Sequence, residues 1–185
     1  QRQMCIRDRG TYEIESERRG YALELAVDFV RMQGGMHRFW EKQEEPPVPL
    51  ADQTLEDVKH TWPDGEIDVR IGDYMFRPHQ KWTVTAVEDK GGYLGSPYYK
   101  ITIEGTDRAL AATADRELTT VPAFTGSDEQ LWRIEQLTDG TYRIMPKMVP
   151  GCEERLALVS VADSTPSLGT FDSTSDNSKW NFRKR

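Results

Sequence analysis

Three tryptophans divide the sequence into nearly equal parts, and this spacing constrains the fold more than any other feature. They stand 50 and 48 residues apart, and each lies in a short motif of the Gln-x-Trp type. An apolar residue two positions after each Trp is typical of a strand whose Trp faces inward. A repeat of this length determines how the whole chain is divided. The motifs are Gln80-Lys81-Trp82, Gln130-Leu131-Trp132 and Ser178-Lys179-Trp180.

Other elements recur in the same order before each Trp. Each repeat begins with an alternating Tyr-x-Ile strand, continues with a strand around a Leu, and has one aromatic residue eight or nine positions before its Trp. Turn sequences at 89–92, 104–107 and 139–140 separate the strands. The Tyr-x-Ile strands are 11–14, 98–101 and 141–144, the Leu residues are Leu23, Leu110 and Leu156, and the aromatics are Tyr74, Phe124 and Phe171.

The repeats predict an all-β fold of three four-stranded units. One such unit cannot bury its apolar face alone, whereas three units around a pseudo-threefold axis can close a small barrel. The three Trp and the three Leu residues then form an equivalent structural core. The predicted boundaries are 10–88 for repeat one, 89–137 for repeat two and 138–185 for repeat three.

Composition excludes several classes of function. The chain has 31 acidic and 24 basic residues, which argues against a nucleic-acid partner, because phosphate binding needs clustered Lys and Arg. It has no apolar run of about 18 residues that could span a membrane. Two cysteines, Cys5 and Cys152, cannot form a disulfide framework, and the three histidines lack metal-site spacing. We therefore expect no metal, no cofactor and no catalytic residue.

The first nine residues are expected to be foreign to the protein. The sequence Gln1-Arg2-Gln3-Met4-Cys5-Ile6-Arg7-Asp8-Arg9 has no apolar core of a signal peptide. It resembles translated sequencing-adapter read-through at the end of a truncated reading frame, so the native N-terminus would lie further upstream. An ordinary disordered basic tail is the alternative interpretation.

The Gln-x-Trp repeats resemble the ricin-type β-trefoil lectin family over residues 10–185, apart from one insertion. The resemblance implies a β-trefoil and a non-catalytic carbohydrate-binding module, often an accessory domain of a secreted glycoside hydrolase. The implied partners are a glycan, of galactose type in the family, and an upstream catalytic domain of the same chain. The implied location is secreted, periplasmic or at the cell surface.

Sugar sites in that family combine a carboxylate just after the Leu, an aromatic ring and an amide just before x-Trp. A carboxylate accepts hydrogen bonds from vicinal hydroxyls, and the ring packs on the apolar face of the sugar. No repeat carries the full set: repeat one has Glu24 and Tyr74 but His79 in the amide position, whereas repeats two and three have Ala111 and Ala157 in the carboxylate position. The resemblance implies the following candidate sugar-binding residues: Glu24, Tyr74, His79, Gln80, Phe124, Gln130, Phe171 and Asn177. We expect the second and third sites to bind galactose weakly or not at all, which leaves the first as the candidate site.

Repeat one carries a long insertion at about residues 28–66. A short helix is predicted at 54–62, with Thr54 as the cap and with Leu55, Val58 and Trp62 on one face. The insertion is either a solvated loop that packs Phe39, Trp40 and Trp62 on the barrel, or a docking surface or lid over the first site.

Two functions therefore remain open. The first is a glycan-binding accessory module of a truncated, secreted glycan-active enzyme. The second is a degenerate trefoil that serves as a structural or domain-docking module without sugar binding. A trefoil of the protease-inhibitor type ranks last, because no disulfides hold a reactive loop.

Overall fold

The structure is a computed structural model that describes residues 9–27, 54–93, 95–162 and 164–184. The described residues form twelve strands, four in each repeat. They are β1 (Arg9–Ser16), β2 (Ala22–Leu25), β3 (Ile67–Gly72), β4 (Trp82–Tyr93), β5 (Ser96–Ile103), β6 (Ala109–Ala112), β7 (Leu118–Val121), β8 (Trp132–Gln136), β9 (Tyr142–Pro146), β10 (Ala157–Ser160), β11 (Pro166–Gly169) and β12 (Trp180–Lys184). The expected strands around the Tyr-x-Ile and Leu motifs are therefore present.

The first and last strands of each repeat close a six-stranded barrel. Its order is β1, β4, β5, β8, β9 and β12, and β12 pairs back with β1. The remaining strands form the hairpins β2–β3, β6–β7 and β10–β11; β3 also pairs with β7, and β11 contacts both. Closure leaves the barrel without an open edge. The predicted fold class is confirmed: the chain is a β-trefoil with three pseudo-repeats.

The three tryptophans occupy equivalent core positions. Each is fully buried, and each indole Nε1 donates a hydrogen bond to a backbone carbonyl of the Leu-containing strand in its own repeat. A Tyr lies directly across from each Trp on the neighbouring barrel strand. The pairing register of the barrel strands is therefore repeated three times as well. The pairs are Tyr12 with Trp82, Tyr99 with Trp132 and Tyr142 with Trp180.

The third repeat differs from the expected alignment by two residues. Trp82 and Trp132 donate to the carbonyls of Leu23 and Leu110, but Trp180 donates to Leu158, at 2.8 Å. Leu156 is buried in the same core, so alternation in the sequence Leu-Ala-Leu fits either residue. The Trp–Leu separation is then 22 residues in both later repeats. The position after the Leu is consequently occupied by Val159, not by Ala157.

The turn expected at residues 89–92 does not form. Residues 89–92 form part of β4 rather than a turn, and the pairing of β4 with β5 shifts between Val87 and Gly92. The strands connect between Tyr93 and Ser96, where Gly95 has a φ of 83°. An irregularity of this kind places an Asp-Lys-Gly-Gly sequence inside a strand, which a local turn rule cannot detect.

The C-terminal end of the insertion packs on the trefoil. Helix α1 (Leu55–Val58) is capped by Asp57, which accepts a hydrogen bond from the Thr54 amide at 2.9 Å, and a 3-10 turn follows at Lys59–Thr61. Helix α1 contacts the 3-10 turn at Pro78–Gln80, and Trp62 packs against the main core. The packing predicted for Trp62 is therefore present; Phe39 and Trp40 lie outside the described residues, as do residues 1–8, and Arg9 begins β1.

Arg108 of repeat two fixes this end of the insertion. Its guanidinium donates to the carbonyls of Gly65 and Pro63, at 2.9 and 3.2 Å, and the side chain is largely buried. Leu55 approaches the turn at Gly105, where a Cβ would lie 2.9 Å from the Leu55 methyl group. The insertion therefore ends on repeat two, not only on its own repeat.

Replacing Arg108 by Met should release residues 54–66 without unfolding the barrel. The hydrogen bonds from a charged donor are worth about 1.5–3 kcal/mol, so amide exchange in this segment should speed up by about tenfold or more. Arg116→Met, which removes an exposed arginine, is the matched control. Unchanged amide exchange across 54–66 in the Arg108 variant would show that the hydrogen bonds from Arg108 to Gly65 and Pro63 do not hold this segment.

Candidate functional site

The Gln of the Gln-x-Trp motif holds the loop that precedes it. Gln80 Oε1 accepts a hydrogen bond from the Met75 amide, and Gln130 Oε1 accepts one from the Thr125 amide, both at 2.8 Å. In repeat three the Ser178 hydroxyl performs the same task for the Asp172 amide, at 3.2 Å. Gln80 and Gln130 are both buried. Their expected role as sugar contacts is thus replaced by a role in fixing backbone, because buried amides must be paired.

Glu24, Arg70, His79 and Gln80 form one connected group, called the Glu24 cluster below. Gln80 Nε2 donates to Glu24 Oε1 at 2.7 Å, and Arg70 Nε donates to Glu24 Oε2 at 2.7 Å. His79 Nε2 lies 3.7 Å from the same Oε2. Pairing of β2 with β3 sets Glu24 directly opposite Arg70. Three of the expected site residues, Glu24, His79 and Gln80, therefore meet.

Glu24 is ionised although it is buried. Burial alone raises the pKa of Glu24, but the contacts with His79, Arg70 and Gln80 outweigh that effect. The net result is a pKa below the ordinary value of 4.5. The carboxylate is therefore charged at neutral pH and accepts hydrogen bonds from Arg70 and Gln80.

The Glu24 carboxylate does not face solvent. Glu24 and His79 are each 4% exposed, and helix α1 contacts the turn that carries His79. Both carboxylate oxygens already accept hydrogen bonds from Arg70 and Gln80. This arrangement argues against the expected direct contact of Glu24 with a sugar.

The loop at residues 73–77 contains exposed residues beside the Glu24 cluster. The rings of Tyr74 and Phe76 meet edge to face, with centroids 4.8 Å apart, and Phe76 is 55% exposed. Phe76 has a φ of 59°, a conformation that costs a non-glycine residue about 1–2 kcal/mol. Gly126 occupies the equivalent position of repeat two, with a φ of 89°. An exposed aromatic residue where the fold accepts glycine points to a use for that ring.

Sequence reasoning missed both Phe76 and Arg70. Counting back from Gln80 and Gln130 aligns Phe76 with Gly126, so the sequence did contain a signal for the first. No equivalent signal exists for Arg70, whose partnership with Glu24 spans 46 residues and an insertion.

The aromatics of repeats two and three carry cations on their rings. Lys100 Nζ lies 5.0 Å from the centroid of Phe124, and the Arg143 guanidinium lies 4.8 Å from that of Phe171. Lys100 and Arg143 are equivalent, because each follows the Tyr of a Tyr-x-Ile strand. Both rings are half-buried. One face of each ring is therefore already occupied by a cation.

The carboxylate position is apolar in both later repeats. Ala111 is buried after Leu110, and Val159 follows Leu158. Asn177 is half-buried in the 3-10 turn Asp176–Ser178, where its backbone amide donates to the Ser175 hydroxyl at 3.2 Å. Neither repeat assembles a carboxylate, a free aromatic face and an amide.

A cavity of about 370 Å³, which contains none of the expected site residues, lies between Tyr98, Arg133 and the loop at 146–155. Its Lys147 already pairs with Asp128, at 3.2 Å. In the part of the chain that the structure describes, no helix is long and apolar enough to cross a membrane, and no cluster of His, Cys, Asp and Glu could hold a metal ion.

Fold and repeat geometry define a β-trefoil. Residues 78–153 match the family model for a ricin-type beta-trefoil lectin domain-like sequence, which confirms the resemblance seen in the Gln-x-Trp repeats. The match begins at the 3-10 turn of repeat one and ends in repeat three. No curated protein matches the chain in sequence.

Solved structures share the fold at low identity. A mosquitocidal holotoxin has 17% identity and a TM-score of 0.64; the alignment covers 97% of this chain and 18% of the toxin. The β-trefoil lectin of the Vibrio vulnificus hemolysin/cytolysin, with N-acetyl-D-lactosamine bound, has 15% identity, a TM-score of 0.58 and 96% coverage of both chains. An exo-β-1,3-galactanase from Clostridium thermocellum has 16% identity and a TM-score of 0.58, with 95% of this chain and 30% of the enzyme covered.

Proposed function

We propose that the chain is a non-catalytic glycan-binding module whose binding site is the first repeat. The observation that carries this proposal is the 73–77 loop, which presents Tyr74 and the strained, exposed Phe76 beside the Glu24 cluster. Sugars pack their C–H faces on such rings, and the polar groups around the rings select the hydroxyl pattern. The match to a lectin-like family supports the same conclusion.

The Glu24 cluster makes the loop rigid. Gln80 bonds to Glu24 on one side and to the Met75 amide and the Asp73 carbonyl on the other. A loop fixed before binding loses little conformational entropy when a ligand arrives. The cluster thus contributes to binding by preorganisation, while the rings make the contact.

The module is proposed to serve a longer, secreted glycan-active enzyme, located in the periplasm, at the cell surface or outside the cell. The galactanase supports this context, because the present chain corresponds to 30% of its length. Binding of glycans requires no proton transfer or nucleophile, so the trefoil itself needs no catalytic pair.

Replacing Phe76 by Gly tests the proposed site. Loss of the ring should weaken glycan binding by about tenfold or more, because an aromatic face contributes over 1 kcal/mol. Stability should stay constant or rise by up to about 1 kcal/mol, since Gly removes the cost of the positive φ. A glycan array followed by calorimetric titration and a thermal melt measures both effects.

Val161→Ala is the matched control, because Val161 is an exposed apolar residue of repeat three. It should leave binding unchanged. Retention of full affinity by the Phe76 variant would exclude the loop as the site. Failure of every glycan to bind the native chain at millimolar concentration would exclude the proposed function.

A structural or docking module is the second candidate. It is favoured by the hydrogen bonds from Arg108 to the carbonyls of residues 63 and 65, and by the apolar residues Ala111 and Val159 in the carboxylate positions. In that case deletion of residues 28–66 should disrupt association with a neighbouring domain and change no sugar contact. Persisting association after the deletion would oppose this alternative.

A further inference from the structure

Arg70 is the polar group of the Glu24 cluster that reaches solvent. Its side chain is 34% exposed, whereas that of Glu24 is 5% exposed. The β2–β3 pairing places Arg70 opposite Glu24, and Nη2 donates a hydrogen bond to the Val27 carbonyl at 2.8 Å. A ligand approaching the cluster therefore meets a guanidinium before it meets a carboxylate.

Hydrogen-bonding capacity remains on this guanidinium. An arginine has five N–H donors. Within the described residues, Arg70 uses Nε for Glu24 and Nη2 for Val27, and Nη1 makes no hydrogen bond. The two anchors fix the plane of the group, so the remaining donors are already oriented for a ligand.

Arg70 is linked to the aromatic loop by a chain of hydrogen bonds. One carboxylate and one amide connect them, because Glu24 bonds to Gln80 and Gln80 bonds to the Asp73 carbonyl and the Met75 amide. Asp68 and Asp73 are exposed nearby in sequence, but neither forms an ion pair with Arg70 within 4.0 Å. As exposed charges they are screened by salt, whereas the fixed guanidinium can make a direct contact.

We propose that Arg70 makes the first repeat selective for a sugar that carries a carboxylate, such as a uronic acid. The free donors of Arg70 would bind the carboxylate, and Tyr74 and Phe76 would contact the sugar ring. Charge-assisted bonds from arginine to carboxylates are among the strong hydrogen bonds of proteins. The inference rests on the proposed glycan-binding function and adds the ligand class.

The test compares three ligands on the native chain by calorimetric titration. They are a galacturonic acid trisaccharide, its methyl ester, and a neutral galactose trisaccharide. The acid should bind about tenfold or more tightly than its ester, because esterification removes the charge but keeps the ring. Raising NaCl from 50 to 500 mM should weaken the binding of the acid and leave the binding of the two neutral ligands unchanged.

The Arg70→Gln variant should reduce the affinity for the acid to that for the ester. Arg116→Gln, which removes an exposed charge elsewhere, is the control and should keep the preference. Because the ester comparison uses the unchanged protein, it decides whether the site requires a carboxylate even if Arg70→Gln fails to fold.

Two failures are distinguishable. Equal, Phe76-dependent binding of all three ligands would overturn the role of Arg70 and leave the glycan-binding function intact. No binding of any of them, together with an empty glycan array, would overturn both. Tighter binding of a sialylated trisaccharide than of the galacturonide would support the requirement for a carboxylate. It would show that the preferred carboxylate is that of sialic acid.

Discussion

Replacing Trp132 by Ala is expected to lower the free energy of unfolding by about 3–5 kcal/mol. Trp132 is fully buried in the barrel core, and its Nε1 donates to the Leu110 carbonyl at 3.0 Å. The substitution removes the largest side chain of its repeat and leaves a cavity that rigid barrel strands cannot close. Chemical denaturation followed by fluorescence or circular dichroism measures the loss.

Trp132→Phe separates the volume from the hydrogen bond. Phe retains most of the apolar contact but leaves the Leu110 carbonyl without its donor, which should cost about 1–3 kcal/mol. The Trp82 and Trp180 variants should behave alike, because their indoles bond to Leu23 and Leu158. A loss below 1 kcal/mol for Trp132→Ala would mean that the repeats do not share one core.

Replacing Glu24 by Gln should cost about 2–3 kcal/mol. The change removes a buried charge that accepts hydrogen bonds from Arg70 and Gln80, and such charged bonds are worth more than neutral ones. Arg70 is partly exposed and can regain water, so the cost should lie below that of a fully buried pair. A double-mutant cycle with Arg70→Gln isolates the interaction.

The pH dependence of stability gives an independent test. The folded pKa of Glu24 lies below its ordinary value of 4.5, so the unfolded state takes up the proton first as pH falls. The stabilisation is therefore complete above about pH 4.5 and disappears as pH falls through the lower folded pKa. Glu24→Gln should lack this part of the acid dependence. Parallel stability curves for both proteins between pH 7 and 3 would contradict the assignment.

The three repeats differ at the positions that hold the Glu24 cluster and the aromatic loop in repeat one. The three positions after the bonded Leu hold Glu24, Ala111 and Val159, so repeat one alone keeps a charge there. The equivalent residues Phe76 and Gly126 both have a positive φ, but only Phe76 has a side chain at that position. The scaffold is thus repeated, while the chemistry is concentrated in one repeat.

Much of the fold was predictable because it depends on local periodicity. Alternation around the Tyr-x-Ile strands and the spacing of the tryptophans predicted the twelve-strand trefoil. Leu156 and the turn at 89–92 were misassigned for a physical reason: two apolar residues fit the same alternation, and a bulge hides a glycine pair within a strand. The first choice is decided by the hydrogen bond from Trp180, 22 residues away, and the second by the register between β4 and β5.

The sequence by itself determined the threefold division, the all-β class and the buried tryptophans, because burying one apolar face per repeat requires the barrel. Only the tertiary structure decided what Glu24 does. Its partners Arg70 and Gln80 lie 46 and 56 residues further along the chain, across an insertion. The β2–β3 register brings them together, and their hydrogen bonds turn the carboxylate inward and leave Arg70 and the 73–77 loop at the surface.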